Sequence, residues 1–334
     1  MYTDYETIYH LTLKSENAER SCHSIRLPLL WSGGITSPRK ISASGDPAIL
    51  KRETEKPHNP IKNIVEKLPN LPPNPFPKMT IDKSKIYTET APKTGIKVVI
   101  VGAGFGGIAA AIECYFNGHD VVVLEAVHEL KPFGDIVSFG SNGGRIFGHW
   151  SKGYILKKFL GVLHYYPYFD VRKYTGEKVV KQPPPDRIPD APTINGHRGE
   201  MHMIIYHYAK DILGIDIRTN SKVEDYFDDE NGAGVVLSTG EKVTGDLVIG
   251  CDGVRSKARE LVLGYFEKPH SSGYAVFRAW FPGGEDFLDD PLTKEFVDYG
   301  DSFTGWAGPH VHFLVLASKG GKEISWFLTH KVYP

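Results

Sequence analysis

The stretch Val98-Val-Ile-Val-Gly102-Ala-Gly104-Phe-Gly-Gly107 decides how this chain is read. A short β-branched run ends in three glycines spaced Gly-x-Gly-x-x-Gly, and the small residues Ala109, Ala110 and Ala111 follow. Lys97–Val101 has the continuous apolar character of a buried parallel strand. Gly107–Asn117 reads as a helix that Gly118 ends, and Asp120–Glu125 as a second strand, which makes a βαβ unit. In such a unit Gly102 allows the tight turn and Gly104 lets the backbone approach a pyrophosphate. Gly107 lets helix and strand pack closely. The helix N-terminus then offers N–H groups and a positive dipole end to the phosphates. Glu125 ends the second strand 18 residues after Gly107, where a carboxylate can accept from a ribose diol. Its charge disfavours a ribose 2′-phosphate, so the residues imply FAD or NAD before NADP.

Composition bounds what surrounds this unit. At 334 residues the chain is long enough for two domains. A content of 41% hydrophobic and 24% charged residues excludes a mainly disordered chain. The net charge of -1 gives no global basic field for nucleic acid or an anionic membrane. Three distant cysteines, Cys22, Cys114 and Cys251, exclude a disulfide scaffold and a Cys-rich zinc site. They fit a reducing compartment, and a cytoplasmic location is expected. The start Met1-Tyr-Thr-Asp-Tyr-Glu carries acid where a signal peptide needs base. The strongly apolar run Val98–Ile112 is shorter than a membrane span and rich in glycine.

Residues 1–95 carry a net charge of +4 and 11 of the 23 prolines. Residues 1–94 are therefore expected to be a mostly disordered extension, with a short helix near Ile61–Leu68. Residues 95–266 are expected to form the nucleotide-binding domain, with a hairpin insertion near residues 165–192 that turns at Thr175-Gly176. A helix is expected over Glu200–Leu213, with Met201, Ile204, Ile205, Tyr208 and Leu213 near one face. Strands are expected at Lys222–Phe227, Gly234–Ser238 and Leu247–Gly250. Residues 267–334 read as part of an antiparallel sheet, from strands at Tyr274–Phe281, His310–Ala317 and Ile324–His330. The acid-rich run Glu285–Asp301 reads as a solvated loop and helix. The fold class is α/β: a Rossmann-like domain followed by a second, mainly antiparallel β domain.

Gly245-Asp-Leu-Val-Ile-Gly-Cys-Asp252-Gly253-Val-Arg255-Ser256 is a buried strand, a sharp Asp-Gly turn, then a helix capped near Ser256. It resembles the Asp-Gly motif of the single-component FAD-dependent aromatic monooxygenases, the salicylate hydroxylase-like family. That resemblance implies that Asp252 and Gly253 lie near the cofactor pyrophosphate. His197-Arg198-Gly-Glu-Met resembles the family's helix start, which implies that Arg198 contacts the flavin. Phe133-Gly134-Asp-Ile-Val-Ser-Phe-Gly-Ser-Asn142 resembles a further family stretch. Gly134 is its implied backbone approach to the cofactor, while Asp135 stands in place of a small residue and Ser141 in place of proline. Ala275-Val-Phe-Arg278 resembles the strand that opens the family's substrate sheet. Arg278 either faces the flavin cavity or is an ordinary strand arginine.

The resemblance implies FAD as cofactor, NAD(P)H as transient co-substrate and a small aromatic molecule as substrate. NAD(P)H would reduce the flavin, oxygen would then be activated on it, and an electron-rich ring would be hydroxylated. No catalytic base is named by the sequence. The family's later Gly-Asp-Ala motif, which holds the flavin ribityl chain, has no counterpart after Asp252. The expectation is a C-terminally truncated member with low flavin occupancy and weak coupled hydroxylation. Two rivals remain at this stage: an NAD-dependent dehydrogenase and a non-catalytic nucleotide-binding remnant. His197, His202 and His207 recur every five residues, which scatters them around a helix, and no metal site is expected.

Overall fold

The computed structural model describes residues 9–11, 88–132, 134–184, 191–230, 232–283, 289–298 and 300–332. In chain order the strands begin with β1 (Tyr9–Leu11), β2 (Lys97–Val101), β3 (Asp120–Leu124) and β4 (Ile136–Phe139). There follow β5 (Phe169–Lys173), β6 (Lys178–Gln182), β7 (Ile194–His197), β8 (Asp216–Arg218), β9 (Val223–Asp229) and β10 (Gly232–Leu237). The remainder are β11 (Lys242–Gly245), β12 (Leu247–Gly250), β13 (Tyr274–Pro282), β14 (Ser302–Gly308), β15 (Val311–Ser318) and β16 (Glu323–Lys331). The helices are α1 (Phe105–Phe116), α2 (Ser141–His149), α3 (Tyr154–Leu160), α4 (Arg198–His207) and α5 (Ala258–Leu263).

One sheet has the order β1-β12-β2-β3-β8, parallel except for β1. Its central strand is apolar on both faces because both faces are covered. Val98 and Ile100 pack with Ile108, Ala111, Met201 and Ile205 of α1 and α4. Val99 and Val101 pack with Tyr226, Val235 and Val243 of the three-stranded sheet β11-β10-β9. The continuous run that suggested a buried parallel strand is thus the middle of three layers. The helix foreseen over Glu200–Leu213 is α4 from Arg198 followed by a π-helical turn, Tyr208–Ile212. The helix foreseen at Ile61–Leu68 lies outside the described residues. Of the N-terminal extension, β1 pairs with β12, and the N–H groups of Ala91 and Thr94 donate to Phe116 O and Gly118 O.

The second large sheet has the order β13-β16-β15-β14-β5-β6. It is antiparallel except where β5 runs parallel to β14. The hairpin β5–β6, read as an insertion in the nucleotide-binding domain, pairs with this second sheet instead. The segment after Pro282 yields a 3-10 turn at Lys294–Phe296, and β14 starts at Ser302, a strand that the sequence reading left out. One buried and one half-exposed ion pair of Arg172 hold this region. Arg172 binds Asp170 Oδ2 at 2.7 Å and Glu295 Oε1 at 2.9 Å, which pins the 3-10 turn to β5.

The turn between β15 and β16 fastens the second sheet to α4. Lys319 Nζ lies 2.6 Å from both Glu200 Oε1 and Glu323 Oε1. Asp301 accepts from the N–H groups of Gly320 at 2.9 Å and Tyr165 at 3.1 Å. His164, buried beneath this turn, has Nδ1 3.0 Å from Ser318 Oγ. Burial pushes the His164 imidazole down to about 4, with Lys319 and His197 adding to the effect and Glu323 opposing it. In the unfolded chain a histidine takes its proton near 6.5. Stability is therefore complete above that value and falls as pH drops from 6.5 toward 4. The unfolded chain then binds a proton that the native state refuses. The loss is at most about 3 kcal/mol. Urea unfolding at pH 7 and pH 4.5 should show a smaller difference for His164→Gln than for the natural sequence. An unchanged difference would remove His164 from the acid response.

Candidate functional site

The site begins where β2 ends. Leu247–Gly250 runs parallel to Val98–Val101, and the N–H of Cys251 donates to Val101 O at 2.8 Å. The first glycine motif and the Asp252-Gly253 turn therefore leave the sheet at one carboxyl edge. Gly102 has φ +100, and its N–H donates to Leu124 O at 2.7 Å. A Cβ on Gly102 would collide with the carbonyl of Cys251, and one on Gly107 with the carbonyl of Gly102. The fold itself requires these two glycines, because β2, α1 and β12 meet backbone to backbone here. Gly104 is different. It is the N-cap of α1 with φ -69 and ψ -176, extended backbone that any residue adopts. It brings no capping side chain, and the first turn of α1 holds no acidic residue. The first turn of the helix thus brings no counter-charge of its own.

Glu125 is fixed by the backbone around it. Its Oε2 accepts from Ala103 N at 2.8 Å and its Oε1 from Val127 N at 3.0 Å. Each carboxylate oxygen keeps further acceptor capacity toward the edge. Asp252 Oδ2 accepts from three donors: Lys257 N at 2.8 Å, Ala258 N at 3.2 Å and Tyr226 Oη at 3.0 Å. Its Oδ1 is buried and has no hydrogen-bond partner. A buried acceptor without a partner is costly, and this one sits two residues past the end of β12. Tyr226 is held firmly protonated, first by burial and then by the Asp252 charge. Gly253 has φ +79, the left-handed region that the sharp turn requires.

Gly134 and Arg198 meet at a second cluster beside this edge. Gly134 has φ +127, and a Cβ there would lie 3.2 Å from Arg198 Cβ and Cδ. The N–H of Arg198 donates to Asp135 O at 2.6 Å, and its guanidinium lies 6.0 Å from the ring centre of Phe105. Phe105 directly follows Gly104, so it links the two halves of the site. His202 Nε2 lies 2.6 Å from Ala103 O, and its ring packs edge-on to Phe105 at 5.3 Å. The imidazole of His197 caps α4 by accepting from Glu200 N at 3.2 Å, and its ring lies 5.2 Å from Trp280. Arg278 faces this cluster from β13, with Nη1 3.3 Å from Asp135 Oδ2. Of the two readings left open for Arg278, the contact with Asp135 favours the one that faces the site.

All eight residues expected to bind cofactor lie in these two adjoining clusters: Gly102, Gly104, Gly107, Glu125, Asp252 and Gly253 in one, Gly134 and Arg198 in the other. Sequence reasoning missed Tyr226, Phe105 and the role of His202. His202 meets Ala103 O, and His207 pairs with Asp211 at 2.8 Å. Among the described residues no group of three His, Cys, Asp or Glu side chains is placed to hold a metal.

An α/β edge that joins a Gly-x-Gly-x-x-Gly turn, a glutamate at the end of the second strand and an orphaned aspartate oxygen suits a dinucleotide. The FAD binding domain family matches residues 97–133. Asperlicin C monooxygenase of Petromyces alliaceus is 39% identical over 250 residues, covering 72% of this chain and 52% of that protein. FAD-dependent monooxygenase nanF of Aspergillus nanangensis is 33% identical over 261 residues, covering 76% of this chain and 56% of that protein. The crystal structure of CtdE with FAD and substrate 4 superposes with a TM-score of 0.65 at 30% identity, covering 72% of this chain and 58% of that one. That of FqzB gives 0.65 at 29% identity, covering 74% and 56%. Over the part that it spans, about half the length of those relatives, the chain is similar to FAD-dependent monooxygenases. The cofactor of the domain is FAD. Among the described residues no helix is long and apolar enough to cross a membrane.

Replacing Glu125 by Ala should weaken FAD retention by about 1.5–3 kcal/mol, the worth of hydrogen bonds to a charged group. Glu129, exposed and 3.3 Å from Lys131, should be neutral when replaced. Flavin content after desalting compares the two variants, and equal content would count against the ribose role. Tyr226→Phe leaves Asp252 Oδ2 with two donors in place of three. It should lower FAD affinity several-fold, read by quenching of flavin fluorescence.

Proposed function

We propose that the chain binds FAD across the edge described above and supports NAD(P)H-dependent hydroxylation of a small aromatic molecule. The carrying observation is the convergence of Gly102–Gly107, Glu125 and Asp252 at one carboxyl edge, with Gly134 and Arg198 beside it. In this reading the first turn of α1 and Gly104 receive the pyrophosphate. Glu125 accepts from the ribose diol, and Asp252 Oδ1 finds a partner on the cofactor or on a water bound to it. Gly134 and Arg198 hold the isoalloxazine end, where a cation stabilises negative charge on the reduced ring. When bound, FAD supplies the redox and oxygen chemistry. The protein orients the ring, screens it from water and positions the substrate against it.

The flavin-side face of the second sheet supports an aromatic substrate. By register, Arg278 lies beside Phe327, Leu314 and Gly305, and Trp280 beside Ser325, Leu316 and Phe303. Relatives named as monooxygenases, and a relative solved with FAD and a substrate, point the same way. The NAD-dependent dehydrogenase rival should lack both the Asp252-Gly253 strand–turn–helix and the antiparallel second sheet. NAD(P)H has no dinucleotide motif of its own here, which fits a transient visit. The distant cysteines fit work in a reducing compartment such as the cytoplasm.

The test is to purify the protein and record its visible spectrum before and after incubation with FAD. Yellow protein that oxidises NADH or NADPH faster when a suitable aromatic compound is added, with hydroxylated product, is expected. Colourless protein that gains no flavin would overturn the reading.

A further inference from the structure

A cavity of about 340 Å³ opens on the second sheet, with Tyr274, Ala307, His310, His312 and Thr329 in its wall. Side chains alternate between the two faces of a sheet along each strand, so Tyr274, Val276 and Trp280 of β13 share one face. Trp280 lies 5.2 Å from the ring of His197, the residue before Arg198, so that face is turned to the FAD-binding domain. By register Val276, Thr329, His312 and Ala307 form one row across it. The next row toward Trp280 is Arg278, Phe327, Leu314 and Gly305. Two residues along each strand, roughly 7 Å, separate neighbouring rows. The cavity therefore occupies the end of the flavin-side face that is remote from His197.

The wall of this cavity is made of uncharged hydrogen-bonding groups: two imidazoles, a phenol and a hydroxyl. Lysines flank it by register, Lys331 beside Tyr274 and Lys173 beside Ala307. Tyr274 and His310 hold each other, with Tyr274 Oη 3.3 Å from His310 Nδ1. His310 is fixed in turn by its carbonyl, which accepts from Lys331 N at 3.0 Å, and by a left-handed φ of +58 that few side chains adopt. His312 is different. It is half-buried, and among the described residues neither of its ring nitrogens has a hydrogen-bond partner. Burial lowers its pKa below the ordinary histidine value, so at neutral pH the ring is uncharged and one nitrogen is a free acceptor.

On the reading that an aromatic molecule meets the flavin beside Arg198, we infer that His312 is a specificity-determining residue: it accepts a hydrogen bond from an O–H or N–H group at the end of the substrate remote from the flavin. The substrate is then an extended aromatic, longer than one ring, because the reacting ring and this donor lie in different rows. A molecule without a donor at that end would displace water from the imidazole and leave its acceptor unmatched. A polar site rejects a close analogue in this way.

The experiment uses the FAD-loaded protein at pH 7.5 with 4-phenylphenol and 4-fluorobiphenyl, two-ring probes of nearly one shape, only the first of which has a terminal O–H. Equilibrium dialysis measures their binding, and the visible spectrum of the same samples gives the FAD content. The natural sequence should bind the phenol about 10-fold more tightly than the fluoro compound. His312→Ala should bring the two within about 2-fold by weakening the phenol, with the fluoro compound changing by less than about 3-fold. His312→Gln, whose side-chain carbonyl is an acceptor, should keep most of the preference. A purely structural role would instead weaken both probes together.

The inference is overturned if natural protein that holds FAD binds the two probes alike or binds neither, a comparison that needs no variant. It is overturned equally by His312→Ala that retains both FAD and the preference, or by His312→Gln as indifferent to the probes as His312→Ala. Failure of the natural protein to hold FAD would instead sink the proposed function, and the spectrum distinguishes that outcome from the others.

Discussion

Close approach of three backbones at Gly102 and Gly107 is the constraint on which the site depends. The turn leaving β2 lies against the carbonyl of Cys251 at the end of β12, and the first turn of α1 lies against the carbonyl of Gly102. No side chain fits in either gap. Because of that contact, the amino end of α1 and the Asp252-Gly253 turn open at the same edge, although some 150 residues separate them in sequence. The residues proposed to meet the nucleotide are hung from this junction. Glu125 is tied to it through Ala103 N, and His202 through Ala103 O.

Electrostatics at the edge follow the same plan. The first turn of α1 holds no acid of its own and offers its dipole to an anion. Asp252 satisfies one oxygen with three protein donors and leaves the other buried without a partner. A fold seldom leaves a buried carboxylate oxygen unmatched unless something else meets it. The second cluster balances its charges internally, since Arg278 offsets Asp135 while the Arg198 guanidinium remains over Phe105. Lys319, in the turn between β15 and β16, ties the second sheet to α4, its ammonium bridging Glu200 of the helix and Glu323 of β16.

Much of this was legible in the sequence wherever structure is local. The β2–α1–β3 unit could be read because a strand buried on both faces is a continuous apolar run, and because only glycine tolerates the contacts at positions 102 and 107. β12 and its turn could be read for the same reason. What depended on distant contacts could not. β14 follows an acid-rich segment and carries two glycines, Gly305 and Gly308, and it pairs in parallel with β5 from far upstream. That pairing also explains why the β5–β6 hairpin looked like an insertion. His202 reaches Ala103 across 99 positions and Tyr226 reaches Asp252 across 26, and neither partner leaves a mark in the local pattern. One signal for His202 was present all the same: a histidine on a helix face among buried apolar residues must find a partner.

Gly104 offers the sharpest test of the central claim, that this edge holds FAD. Its backbone is extended, a conformation open to any residue, whereas Gly102 has a left-handed φ and a Cβ at 102 or 107 would strike backbone carbonyls. The reason proposed for glycine at this position is the approach of a pyrophosphate. Titrating Gly104→Val with FAD, followed by quenching of flavin fluorescence, separates the two requirements. The account predicts a natively folded protein with an unchanged thermal midpoint and an FAD affinity lowered about 100-fold or more. Undiminished FAD affinity in that folded variant would contradict it.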